Sequence, residues 1–221
     1  MLGAVLVVQA MPSALASSFL GAAWETKILP EHREGVSAKI NTVNSVYAAY
    51  SSVSYSITVN FPDGSWIQLG YLKGWYRVGN GGWAEQKQPA FYVERGFPSA
   101  STVNIFGNPL VGSLHTYTIK CLSAGAFTSY TWGAYIDGVQ VISDTYPYHS
   151  AYSINVQGES QDTTDSSTTH VVFSSLQQYE YEKLKRGYIS QWYSWNGYTN
   201  AGSSGDWRIT PNSNSCEVWL L

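Results

Sequence analysis

Two short stretches place chemically capable side chains in strand-like surroundings. In Trp66-Ile67-Gln68-Leu69-Gly70-Tyr71, strand alternation sends Ile67 and Leu69 to one face and Trp66, Gln68 and Gly70 to the other. The Gln68 amide then stands between an aromatic ring and bare glycine backbone, with room above Gly70 for a ligand. In Asn155-Val156-Gln157-Gly158-Glu159-Ser160, the polar residues Asn155, Gln157 and Glu159 share a face. A carboxylate on a polar and aromatic sheet face is a candidate general acid or base if burial raises its pKa. Taken alone, each stretch also fits a solvated strand with a surface carboxylate.

The elements that must position these residues read as strands. Aromatic residues make up 15% of the 221 positions, with 17 Tyr and 9 Trp, while charged residues make up only 12%. Tyr, Trp, Val and Thr favour a pleated, half-buried surface, and hydroxyl and amide side chains take the place of ion pairs on the outside. Period-two runs at 36–43, 52–60, 66–75, 89–94, 115–121, 130–136, 139–143, 153–157, 170–174 and 216–221 are separated by turn residues such as Pro62-Asp63-Gly64 and Asp137-Gly138. One helix-like window, 176–185, is short and mostly polar. Many short strands without intervening helices predict an all-β chain. The expected architecture is a two-sheet antiparallel sandwich of jelly-roll or concanavalin-like type, forming a single domain over 35–221.

The formal net charge of −3 offers nothing to a phosphate backbone, so a nucleic-acid partner is not expected. Residues 1–16 run from a short apolar stretch to small residues ending Ala14-Leu15-Ala16, which reads as a cleavable signal peptide and predicts a secreted protein. A buried first strand or a tail is the other reading. The run is too short to span a bilayer, and residues 17–34 are left as a short extension. Cys121 and Cys216 are the two cysteines; a disulfide between them and two buried free thiols fit the sequence equally well. The four histidines are scattered, so no metal site and no cofactor are expected.

The order of the motifs goes further than any one of them. Gly35-Val-Ser-Ala-Lys-Ile-Asn-Thr42 is followed by Ser52-Val-Ser-Tyr-Ser-Ile-Thr-Val59, then by Trp66-Ile-Gln-Leu-Gly-Tyr71, and later by Gln157-Gly-Glu159 and Val171-Val-Phe-Ser174. This series, over roughly residues 35–175, resembles the glutamic peptidase superfamily, which includes the fungal eqolisins and plant neprosins. The resemblance implies two strongly bent antiparallel sheets and hydrolysis of a polypeptide at acidic pH. It also implies Glu159 as the base that activates water, Gln68 as water-holder and oxyanion donor, and Trp66, Tyr71 and Trp75 as walls of the substrate cleft. The chain departs from the family in the stretch between Gly70 and Tyr92, in lacking the plant members' cysteine pattern, and in leaving little room for a pro-segment between Ala16 and Gly35.

Two other functions fit the composition. A non-catalytic carbohydrate-binding sandwich would use the aromatics of Gln191-Trp-Tyr-Ser-Trp-Asn-Gly-Tyr198, Trp192 and Trp195 among them, to stack on a polysaccharide. An extracellular structural protein would carry no small-molecule site and would assemble into multimers, whereas the peptidase reading expects a monomer.

Overall fold

Strand β3 (Ser52–Asn60) reads Ser-Val-Ser-Tyr-Ser-Ile-Thr-Val-Asn, and every one of its nine residues is buried. Its odd-numbered residues Val53, Tyr55, Ile57 and Val59 enter the main apolar core, while Ser54, Ser56, Thr58 and Asn60 turn to the other face. A strand that is apolar on one side and small and polar on the other, yet buried on both, belongs at the centre of a covered sheet. The computed structural model places it there. It describes residues 20–27, 33–78, 82–97, 100–123, 128–162, 165, 170–184, 187–195, 199–203 and 206–221, with backbone only at 20–22, 24–27, 181–184, 187–189 and 199–203.

The described residues form two antiparallel sheets. β3 lies in the middle of a seven-stranded sheet, between β10 (Ser153–Ser160) and β4 (Trp66–Arg77). Outside β4 come β5 (Trp83–Phe97) and β6 (Ala100–Phe106); outside β10 come β1 (Leu20–Lys27) and β13 (Thr199–Ser203). The eight-stranded sheet has the order β14 (Trp207–Pro211), β15 (Cys216–Leu220), β11 (Val171–Leu184), β2 (Arg33–Asn41), β7 (Leu114–Cys121), β8 (Tyr130–Ile136) and β9 (Val139–Tyr146); β12 (Gly187–Ser194) pairs with β11 off this path. Val36, Ala38, Ile40, Tyr117, Ile119, Trp132, Phe173 and Val218 face the inner side chains of β3, β4 and β10 in one continuous core. The expected all-β sandwich is the architecture found.

Two expectations change, and the open choice between a disulfide and free thiols closes. Through residue 184 the window 176–185 is strand, and 185 lies outside the described residues: β11 takes residues 177–180 into a ladder with β2 and 177–184 into one with β12. Two flanking partners for the backbone outweigh a weak local helix preference. Strand β1, in the stretch left as an extension, runs against the whole of β10, from Leu20 opposite Ser160 to Lys27 opposite Ser153. The thiols of Cys121 and Cys216 are buried and free. Cys121 is in β7 and Cys216 in β15, with β2 and β11 between them. Three strand spacings are about 14 Å, twice the Cα separation a disulfide spans. The leader expected at 1–16 lies outside the described residues.

Candidate active site

The polar face is organised by ladder register. Asn155 of β10, Thr58 of β3, Gln68 of β4 and Glu94 of β5 stand in one row across four strands. The next row along contains Gln157, Ser56, Gly70 and Tyr92, and the one after it Glu159, Ser54 and Leu72. Gln68 and Glu159 thus come from strands two spacings apart, about 10 Å of backbone. They meet because β3 between them presents only Ser54, Ser56 and Thr58, small hydroxyl residues, in these three rows. The entry to β3 is pinned by Asp165, whose carboxylate accepts from the Ala48 amide at 2.6 Å and the Ser51 hydroxyl at 2.5 Å.

Gln68 Nε2 lies 2.7 Å from Glu159 Oε2, 2.7 Å from the Tyr92 hydroxyl and 2.9 Å from Ser56 Oγ. An amide nitrogen has two protons, so two of these three acceptors are served at a time. The Ser54 hydroxyl donates to Glu159 Oε2 at 3.3 Å, and Gln157 Nε2 donates to Oε1 at 2.5 Å. Ser54, Ser56, Gln68, Tyr92, Glu94 and Gln157 are all buried, whereas Glu159 keeps partial exposure. Burial raises the Glu159 carboxyl to a pKa of about 7; the Gln68 hydrogen bond opposes this, the nearby Glu94 charge adds to it, and Ser54 opposes it. Burial, followed by the Glu159 charge, drives the Tyr92 phenol well above its ordinary value. The result is a half-open carboxyl that holds its proton into the neutral range, beside a fixed amide donor. A carboxyl of that kind can take a proton from water and return it.

Of the residues singled out in the sequence, Gln68 and Glu159 are in contact. Trp66 shares their face, but its ring lies flat across Gly96, where an added Cβ would come within 2.1 Å of it. Tyr71 and Trp75 do not wall this site. Odd-numbered residues of β4 point the other way. Tyr71 is in the core, its hydroxyl donating to the Asn41 carbonyl at 3.0 Å and accepting from the Val43 amide at 3.1 Å. Trp75 packs on Tyr50 at the rim, ring centroids 5.1 Å apart. Gly70 opens no space for a ligand either: a Cβ there would meet the Tyr55 carbonyl oxygen of β3 at 1.9 Å, so its bareness lets two strands close up.

Sequence reasoning missed Ser54, Ser56, Tyr92 and Glu94. Alternation along β3 carried the signal for the two serines, whereas Tyr92 and Glu94 needed the β4–β5 register. The Trp132–Gly138 hairpin is a core strand and turn, with Trp132 fully buried and Asp137 and Gly138 at φ 49° and 80°. Trp195 is buried too, which removes it from a sugar-stacking surface; Trp192 packs on Tyr179, and residues 196–198 lie outside the described residues. Among the described residues, no group of three or more His, Cys, Asp or Glu is placed to hold a metal, and no helix is long and apolar enough to cross a membrane.

The chain shares its fold with solved glutamic peptidases. Scytalidoglutamic peptidase bound to a peptide-based transition-state analogue superposes with a TM-score of 0.52 at 12% identity, covering 92% of this chain and 98% of that one. The same peptidase with another transition-state analogue inhibitor gives 0.49 at 14%, and an eqolisin-family peptidase, SCP-B, in complex with the tripeptide Ala-Ile-His gives 0.45 at 10%, each with the same coverage. No protein-family model and no curated protein sequence matches the chain. The glutamic-peptidase-like fold is therefore established by structure, at an identity too low to carry residue roles with it.

Proposed function

We propose that this β-sandwich is a hydrolase of the glutamic-peptidase kind, acting on polypeptides outside the cell with Glu159 and Gln68 as its catalytic pair. The observation that carries the reading is the 2.7 Å contact between Gln68 Nε2 and Glu159 Oε2 on a buried polar floor. Ionised Glu159 removes a proton from water as the water oxygen bonds to the scissile carbonyl carbon. The carbonyl electron pair moves onto oxygen, where a Gln68 N–H receives it. When the C–N bond breaks, the proton held by Glu159 passes to the leaving amine, and the carboxylate is restored.

The raised pKa bears on the working range. With the carboxyl at about 7, only about a tenth of the molecules hold the base form at pH 6, and the fraction falls tenfold for each further unit. Burial, the largest cause of the rise, keeps the base form scarce across the acid range that the family resemblance implies, and the Glu94 charge adds to it.

The test is hydrolysis of a denatured protein between about pH 3 and pH 8 by the wild type and by Glu159→Ala. Cleavage lost in the variant supports the proposal; no wild-type cleavage anywhere in that range overturns it.

A further inference from the structure

Polar groups on the floor are unevenly satisfied. Towards Glu159 they are densely bonded, with Gln68, Ser56, Tyr92, Ser54 and Gln157 all engaged. In Gln68's own row, and in the next row away from Glu159, the pattern reverses. Thr58 Oγ1 and Asn155 Oδ1 have no hydrogen-bond partner among the described residues, although the two residues are 1% and 5% exposed. Asn60 Oδ1, one step further along β3 on the same face, is in the same condition at 4% exposure. Asn155 and Thr58 are direct cross-strand partners, and Thr58 is the direct partner of Gln68. Buried hydroxyls and amides are nearly always bonded. Three orphaned oxygens grouped beside a catalytic amide mark a place built to receive a polar group from elsewhere.

We infer that Thr58 and Asn155 form a specificity subsite for a primary carboxamide, the side chain of a substrate Asn or Gln next to the scissile bond; the inference rests on the peptidase reading for its substrate class. A carboxamide is the complementary group. Its NH2 donates to Asn155 Oδ1, and its carbonyl accepts from the Thr58 hydroxyl, which can give or take a proton. An apolar side chain of similar size would leave the same oxygens unpaired, the situation in which polar sites discriminate most strongly. An ammonium group would have to shed its water for the neutral Thr58 and Asn155 oxygens, with Glu94 two strands from Thr58 in the same row. A substrate whose scissile carbonyl sits between Gln68 and Glu159 would direct an adjacent side chain towards the Thr58–Asn155 row, two rows from Glu159.

The experiment uses a peptide set identical except for one residue, set in turn to Gln, Asn, Met, Leu or Lys at each position around the cleaved bond. Binding is measured on Glu159→Gln protein by fluorescence anisotropy, and cleavage on the wild type. At one position, Gln or Asn peptides bind at least tenfold more tightly than Met or Leu peptides, with the same preference in kcat/KM. Thr58→Val combined with Asn155→Leu brings the ratio to within about twofold, whereas Thr58→Ser, which keeps the hydroxyl, keeps the wild-type ratio. Equal binding of Gln and Met peptides at every position, or a preference for Lys, overturns the subsite. The outcomes separate the two claims: an amide preference in binding without wild-type cleavage upholds the subsite and removes the peptidase, whereas cleavage without preference removes the subsite alone.

Discussion

Gln68 and Glu94 face each other directly in the β4–β5 ladder, both buried, so the amide that touches Glu159 on one side has a second carboxyl on the other. Glu94 acts on Glu159 through charge, and its charge raises the Glu159 pKa. Replacing it with neutral Gln removes that contribution and moves the ionisation of Glu159 to lower pH. The ascending limb of kcat/KM against pH, placed near 7 in the wild type, is expected to shift in the acid direction in Glu94→Gln. A limb that stays put or moves up shows that Glu94 does not set the base.

The smallness of Ser56 is what lets Gln68 and Glu159 meet across β3. Ser56 is fully buried, and its hydroxyl accepts from Gln68 Nε2 at 2.9 Å. In Ser56→Val, two methyl groups occupy the gap between the pair. Overpacking of this kind costs about 1–3 kcal/mol. Activity is expected to fall at least a hundredfold while far-ultraviolet circular dichroism and a cooperative melt persist, and wild-type activity in a folded Ser56→Val protein contradicts the bridging geometry.

Stability should carry the signature of the same carboxyl. Glu159 has its folded-state pKa raised, to about 7 from 4.5, so the native state binds the proton more tightly than the unfolded chain. The Glu159 contribution to stability is therefore fully present below about pH 4.5 and is lost as pH rises to about 7, by up to about 3 kcal/mol at ~1.4 kcal/mol per pH unit. Glu159→Gln abolishes this decline. Urea titrations should show the variant more stable than wild type at pH 8 and close to it at pH 4. A variant less stable at both pH values contradicts the assignment.

The thiols give an independent check on strand order. Cys121 and Cys216 are buried and free, with their pKa values pushed up by burial, to about 11 for Cys121. A thiol reagent should find two reactive sulfurs in denaturant without reductant and almost none in the native protein, and reductant should leave the melting temperature unchanged. A disulfide-dependent melt would place β7 and β15 side by side instead of two strands apart.

What the sequence revealed followed from alternation within single strands. The parity of Trp66, Gln68 and Gly70, and of Asn155, Gln157 and Glu159, is visible in the letters, and both sets occupy the faces it implies. The same parity argues against Tyr71 and Trp75, which resemblance alone had assigned to the cleft. What lay hidden was pairing. Glu94 lies opposite Gln68 through a long hairpin whose register shifts between Leu72 and Gly74, so counting from the turn does not find it. The Cys121–Cys216 question needed the order of four strands, and the β11 segment read as helix became strand through partners distant in sequence.

The account stands most directly on the rates of one peptide substrate with wild type, Gln68→Ala, Glu159→Gln and the double variant. If the two side chains act on the same water and carbonyl, each single change lowers kcat by at least about a hundredfold, and the double variant is no slower than the worse single one. Cleavage by Glu159→Gln at the wild-type rate would contradict it.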